Sequence, residues 1–370
     1  METTSGGAGA GVDSQARKRK ATEEAASDDD LLIEDGEEDL EEDDDDMEEE
    51  GVNPVVVMER SKHGDGSLYE DRVDRFRWLF NLELATETSM EPMRLTLPTA
   101  ECVLTSTSAC QRHVGGPMPQ IFSVKLVKLP TPTPAGPIQL YGFMAIRDLM
   151  DQGRRNYVFN RSRDDPFVIA DPNSDPFVYL PGPKRGVNMQ GRVVLEYDVR
   201  IKGVFTDDLS LIDEVAFFSE KTCIDEPTTF RISGGRRGGA VHITWARLTR
   251  AMEATVEVRI HELLGNGSGG GGLDLCVTGS LTKIAGEEIK LFRGVLDKPC
   301  ALDRFVIAVP VAVDSDLILH FKAPAAAGGA SSSHHMGDLA FRVAAHGSVT
   351  ECRRFDLATV DVKVTWSALY

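Results

Sequence analysis

Five cations lie close together within residues 155–186, RNYVFNRSRDDPFVIADPNSDPFVYLPGPKRG: Arg155, Arg161, Arg163, Lys184 and Arg185. Guanidinium and ammonium groups at this density suit the binding of a phosphate or carboxylate. Each N–H···O⁻ bond is charge-assisted, and one arginine can hold two oxygens at once. Two features weigh against that chemistry. Asp164, Asp165 and Asp175 stand among the cations, and mixed charges at a sheet end usually pair with each other or sit in water. The tetrapeptide DPFV also occurs twice, at 165–168 and 175–178. Asp before Pro opens a turn, after which Phe-Val enters a strand with its ring inward. The balance favours a structural corner, with two strands starting at the DPFV copies and the basic residues at their ends. The five cations stand as the chain's candidate anion- or ligand-binding residues.

Other chemistry has less to build on. There is no GxxxxGK[ST] loop, no GxGxxG between strand and helix, no GxSxG elbow and no HExxH. The six cysteines, Cys102, Cys110, Cys223, Cys276, Cys300 and Cys352, have no CxxC spacing. His334 and His335 adjoin in a loop-like stretch with no third ligand nearby in sequence, so solvated histidines are expected there. Neither a metal site nor a cofactor is expected, and no catalytic residue is nominated. Missing motifs leave the enzyme question open, leaning to no, because catalytic groups converge in space rather than in sequence.

The elements that must position these residues are strands. Residues 192–202, RVVLEYDVRIK, alternate. Val193, Leu195, Tyr197, Val199 and Ile201 should face a core, with Glu196, Asp198, Arg200 and Lys202 in water. The same period marks 255–261 and 361–366, and further strands are expected at 121–129, 138–147, 240–248, 273–281, 304–309, 316–322 and 338–344. VHITWARL at 241–248 echoes VKVTWSAL at 362–369, read as reuse of an alternating strand with an inward Trp. Period-two strands with one wet face, many turns and few helices describe an all-β protein of antiparallel β-sandwich type. Two β units are expected, at 93–232 and 240–370, divided by the glycine-rich SGGRRGG at 233–239. Residues 67–92 should be a helical lead-in. In LYEDRVDRFRWLFNLEL, residues 68–84, Leu68, Val73, Phe76, Leu79 and Phe80 fall near one face, with Glu70, Arg72 and Arg75 opposite.

Charge is unevenly spread. Residues 1–50 hold 21 acidic and 4 basic residues, leaving 38 acidic and 36 basic among the other 320. The net charge of −19 therefore belongs mostly to the first segment. Residues 1–66 are expected to be a disordered acidic tail, since 23–50 carries 19 acidic residues and few apolar ones to bury. Arg17, Lys18, Arg19 and Lys20 form a candidate nuclear import signal. Scattered thiols, no signal peptide, and no run of about 18 apolar residues point to the nucleus and/or cytoplasm, with no membrane span. Basic proteins could bind the acidic tail. Nucleic acid is not expected, because the basic residues form no stripe with aromatics.

Two resemblances bear on the reading. The run IQLYGFMAIRDLMDQ, followed by Asp148, Asp151, Asp164 and Asp165 and then DPF, is loosely similar to the first half of C2 domains. There, calcium needs carboxylates from two loops. Here Arg200 and Lys202 stand where the second loop's aspartates would be, with Asp207 and Asp208 further on. The second resemblance rests on MEPMRLTLPT (90–99), QIFSVKLVKL (120–129), YGFMAIRD (141–148), RNYVFNRSRDDPF (155–167), GPKRGV (182–187), EATVEVRIHELLG (253–265) and the closing VKVTWSAL. Over about residues 75–370 the chain is similar to the plant, chiefly cereal, domain of unknown function 6598. That resemblance implies a stress or defence setting, because some members resemble jasmonate-induced and ribosome-inactivating proteins. The glycosidase of the latter needs a helical Glu-Ala-x-x-Arg run, which is not found; Glu253-Ala254 sits in a β pattern.

The expectation is a non-catalytic intracellular binding or regulatory protein with protein partners. The alternatives are a ribosome-inactivating rRNA N-glycosidase relative, a C2-like membrane or calcium binder, and an acidic-tail chaperone of basic proteins.

Overall fold

A computed structural model of the chain describes residues 55–58, 61–64, 68, 80–99, 102, 112–133, 136–180, 182–203, 207–221, 223–235, 238–264, 272–324 and 333–369. The Arg17–Lys20 run, acidic residues 23–50 and residues 265–271 lie outside them. So does much of the helical lead-in expected at 67–92; Leu68 and Phe80 are helical, but residues 81–92 form a turn and an isolated bridge from Glu87 to Arg155, and that part of the expectation is corrected.

The protein is all-β, and its described residues form three antiparallel sheets. The first holds β1 (Val55–Met58), β3 (Ile138–Arg147), β4 (Asn156–Arg161), β5 (Phe167–Ile169), β7 (Val193–Ile201) and β8 (Leu209–Phe218), in the order β1-β8-β7-β3-β4 with β5 beside β3. The second holds β2 (Gly116–Lys128), β6 (Phe177–Val178), β9 (Thr228–Ser233), β10 (Ala240–Leu263), β13 (Cys300–Ala301), β14 (Phe305–Pro310), β17 (Gly347–Arg354) and β18 (Ala358–Ser367). The third holds β11 (Leu273–Leu281), β12 (Ile284–Leu296), β15 (Asp316–Pro324) and β16 (Ser333–Arg342), in the order β12-β11-β15-β16. The two DPFV copies do begin strands, β5 on the first sheet and β6 on the second.

Period-two patterning builds two cores. Leu195, Tyr197 and Val199 of β7 pack with Val124 of β2 and with Ile243 and Trp245 of β10. The third sheet gives Val277, Phe321 and Phe341 to a second core with Val258, Phe305, Val364 and Trp366. The echoed tryptophans are thus the inward rings of different cores. Both cores share β10, a strand of 24 residues. Its first part pairs with β2 and β9, and from Ala251 onward it pairs with β14 and β18. Register shifts at Thr244/Trp245 and Leu248/Ala251 bend and twist the strand where it passes from one core to the other.

Four further local expectations are corrected. Ser233 stands opposite Ala240 in the β9–β10 pairing, the Gly234 N–H donates to the Gly239 carbonyl and the Gly239 N–H to the Leu211 carbonyl, so the described ends of the glycine-rich stretch lie within one sheet. Order begins before residue 66, because β-branched Val55–Val57 form an edge strand on β8. His335 lies in β16, not a loop, 3.3 Å from Asp338. Glu196, expected in water, is fully buried. Phe80 and Leu82 pack with Val194, Val215 and Phe217 on the outer face of the first sheet, so β7 is covered on both sides. Among the described residues no helix is long and apolar enough to cross a membrane.

Candidate functional site

The five candidate cations are positioned by the end of β3, by β4 and by the chain at 182–188. That chain lies directly against β4. A Cβ on Gly182 would stand 2.2 Å from the Tyr157 carbonyl oxygen, so only glycine fits the approach. Asn156 fixes the next residues: its Oδ1 accepts the Lys184 N–H at 2.9 Å, and its Nδ2 donates to the Arg185 carbonyl at 2.8 Å. Lys184 and Arg185 then part. Lys184 turns to the surface, and Arg185 turns inward to a bidentate pair with Asp148, at 2.7 and 2.8 Å.

Lys184 and Arg161 line one open groove of about 330 Å³, together with Arg304, Glu87, Tyr157 and Asn160 among others. Its cations are met by exposed carboxylates. Lys184 Nζ is 2.8 Å from Glu91 and 3.8 Å from Glu87, and also donates to the Thr88 carbonyl at 3.0 Å. Arg161 reaches Asp165 at 3.2 Å and Asp303 at 3.8 Å, and Arg304 reaches Glu91 at 3.7 Å. These acids are 48–81% exposed, so each pair is worth little and exchanges readily.

The other three candidates do not line the groove. Arg163 makes a bidentate pair with Asp208, at 2.8 and 3.1 Å. Arg185 is buried on Asp148. Arg155 is buried, 2.6 Å from Glu196, with its guanidinium 4.2 Å from the centre of the Phe143 ring.

Glu196 is the hub of a buried network. Arg147 Nε donates to its Oε1, Arg155 to its Oε2, and His63 Nε2 lies 3.4 Å away. Burial alone would raise the Glu196 carboxyl; His63, Arg147 and Arg155 override it and hold it at about 2. His63 also has its backbone N–H on Asp213 at 2.8 Å and its Nδ1 at 3.1 Å. Burial would lower the His63 imidazole, but the Asp213 and Glu196 carboxylates raise it above its usual value. A histidine raised in the folded state contributes stability that is complete below its unfolded pKa of about 6.5 and is lost as pH rises through the folded value. The urea midpoint of the intact chain should therefore be higher near pH 6 than near pH 9, roughly either side of that titration. The part of this difference due to His63 should vanish in His63→Gln; an unchanged pH profile in that variant would refute it.

Four of the six aspartates of the C2-like pattern are occupied within the chain. Asp148 holds Arg185, Asp165 holds Arg161, Asp208 holds Arg163, and Asp151 accepts the Thr88 hydroxyl at 2.8 Å. Arg200 pairs with Asp198. Glu253 is buried in β10 and accepts the N–H groups of Met93 and Gly186 at 2.7 and 2.6 Å. Burial raises its carboxyl despite those bonds. It ties the segment near Met93 to the chain that carries Lys184.

Arg304 and Glu87 carry no local signal in sequence, because they reach the groove only when the chain before β14 and the chain near β4 are folded together. Nor does Lys184-Arg185 show which of its cations turns inward, because the chain bends at both residues and the alternation of an extended strand does not apply.

A family model described as "Domain of unknown function (DUF6598)" matches residues 118–365. Among curated proteins, no relative matches the sequence. Solved structures give distant likenesses. The two tandem C2 domains of extended-synaptotagmin 2 align at 11% identity and TM-score 0.24, covering 78% of this chain and 97% of that one. Human GIVD cytosolic phospholipase A2 aligns at 11% identity and TM-score 0.22, covering 68% of this chain. The match spans 33% of the phospholipase's own length. Likenesses this distant decide nothing about the chain's chemistry.

Proposed function

Because the chain belongs to the DUF6598 family of domains of unknown function, whose description names no reaction, we propose its role from the groove: it is a non-catalytic intracellular binding protein that holds its ligand by an anionic group. One observation carries this reading. Arg161, Lys184 and Arg304 come from three separate stretches to the walls of one groove, and each is paired with acids that solvent already reaches. A carboxylate or phosphate entering the groove displaces Glu91, Asp165 or Asp303 and gains two or three charge-assisted bonds. The displaced acids return to water at little cost. Tyr157 and Phe159 add apolar contact beside the cations.

The experiment is a titration of the intact chain with inorganic phosphate and with an acidic peptide, followed by NMR shifts. Arg161→Ala/Lys184→Ala should weaken binding by about tenfold or more, since bonds to charged groups contribute about 1.5–3 kcal/mol each. Added salt should weaken it too. Unchanged affinity in the variant would overturn the reading.

The same reading assigns basic proteins as partners of acidic residues 23–50, a nuclear and/or cytoplasmic location served by Arg17–Lys20, and the stress or defence setting implied by the family resemblance. Deleting residues 1–50 leaves β1 intact and isolates the acidic segment's contribution to any capture of basic proteins.

A further inference from the structure

A second cluster lies on the C-terminal sandwich, built from residues the groove does not use. The chain at 95–97 runs beside the end of β18. Leu95 bridges Ala368, and its N–H donates to Ser367 Oγ at 3.1 Å. The next carbonyl, of Thr96, accepts the Gly347 N–H at 2.8 Å, which brings the turn between β16 and β17 alongside. His346 sits in that turn. The Cys102 N–H donates to the Thr99 carbonyl at 3.0 Å, and the Thr99 N–H donates back to Cys102 Sγ at 3.3 Å. Cys102 Sγ lies 3.2 Å from His113 Nδ1. The rings of His113 and His346 meet edge to face, with centroids 4.8 Å apart. One ligand atom from each of Cys102, His113 and His346 lies within 4.8 Å of the other two, and among the described residues no other three such groups converge this closely.

We propose that Cys102, His113 and His346 bind a zinc-type divalent cation through three protein ligands, with a fourth coordination position left for water or a small ligand. The donor set decides the class of metal. A thiolate with two imidazoles suits zinc and its first-row neighbours, whereas magnesium and calcium take oxygen. The spacing fits. Bonds of about 2.3 Å to sulfur and about 2.0–2.1 Å to nitrogen, set at tetrahedral angles, put ligand atoms roughly 3.3–3.6 Å apart. The Cys102–His113 approach is already near that distance. The wider approach closes by a shift of His346, whose turn is at the surface. The surroundings fit as well. An N–H aimed at sulfur, here from Thr99, favours the thiolate, which is the ligating form. His113 is buried, and its ring hydrogen-bonds the main chain at Leu97, the kind of contact that orients metal-bound histidines. His346 is only partly buried, which leaves the cation a way in from solvent. A metal-free thiol–imidazole pair would use Cys102 and His113 alone; a shared cation accounts for the second imidazole.

The test uses the full-length chain, stripped with a chelator and titrated with cobalt(II). The expected result is one cobalt per chain, with a thiolate-to-cobalt charge-transfer band and intense visible bands of a four-coordinate ion. Zinc should displace the cobalt, bleach the bands and raise the unfolding temperature. Cys102→Ser, with the other five cysteines kept, should lose the charge-transfer band. His346→Ala should lose stoichiometric binding, and its metal-free unfolding temperature should match the unaltered chain, because the residue lies on a surface turn. No stoichiometric metal in the unaltered chain, or the same bands and stoichiometry in both variants, would overturn the proposal.

Discussion

Replacing Arg147 by alanine is expected to lower the unfolding free energy by about 3–5 kcal/mol, the range for stranding one member of a buried ion pair. Arg147 is fully buried and does two jobs. Its Nε neutralises Glu196. Its two terminal nitrogens reach the carbonyls of Phe80, Asn81, Leu82 and Leu84, the last at 2.6 Å. Alanine leaves Glu196 short of a charge partner and leaves these carbonyls without their donor. Once residues 80–84 lose that hold, Val194 and Phe217 lose their cover. Urea unfolding measures the effect, through the midpoint at an unchanged slope. Lysine at the same position keeps the charge but not the fork, so Arg147→Lys should recover only part of the loss. A shift of less than about 1 kcal/mol for alanine, the scale of an exposed pair, would mean that the network is not dry.

Asp148→Ala should cost a similar amount, about 3–5 kcal/mol, for a related reason. Asp148 accepts both terminal nitrogens of Arg185 and the Asn188 N–H at 2.8 Å, and it is 1% exposed. Its removal strands a buried guanidinium and a buried N–H together. The double change Asp148→Leu/Arg185→Met should cost less than the two single changes added, because apolar groups of similar volume need no partner. Additive losses would show that the two side chains do not act as a pair. Asp148 also bears on the groove, since Arg185 anchors the chain next to Lys184. Asp148→Ala should therefore weaken phosphate binding without touching a groove residue.

The strands were legible in sequence wherever one face is apolar and the other wet. Val193, Leu195, Tyr197, Val199 and Ile201 point into a core as their period requires. The alternation rule failed at Glu196 because it assumes water on the other face, and here residues 80–84 cover that face. No pattern within β7 announces this. Arg147, at the end of β3 with Asp148 next to it in sequence, gives no sign that its partner is Glu196. Arg161 and Lys184 were legible as candidates from the local density of cations. Arg155 and Arg185 looked the same in sequence, and only folding separates the buried pair from the groove-lining one. Cys102, His113 and His346 were beyond reach, because spacing rules detect ligands close in sequence, and His346 arrives from another part of the chain.

Sharing β10 binds the two cores into one cooperative unit. In a protein with two cores joined by a linker, each core can melt alone, and the linker absorbs the difference. Here melting the first core frays residues 240–245, and the same strand already gives Ala246 and Leu248 to the second core, whose central strand it is from Ala251. No flexible joint lies between them to dissipate the disturbance. The groove takes Arg161 and Lys184 from around β4 and Arg304 from the chain leading into β14 of the second core, so stabilisation gained there is expected to reach both cores and, with them, the elements that carry Cys102, His113 and His346. Two sites with no residue in common are coupled through cores that share a strand neither of them uses for binding.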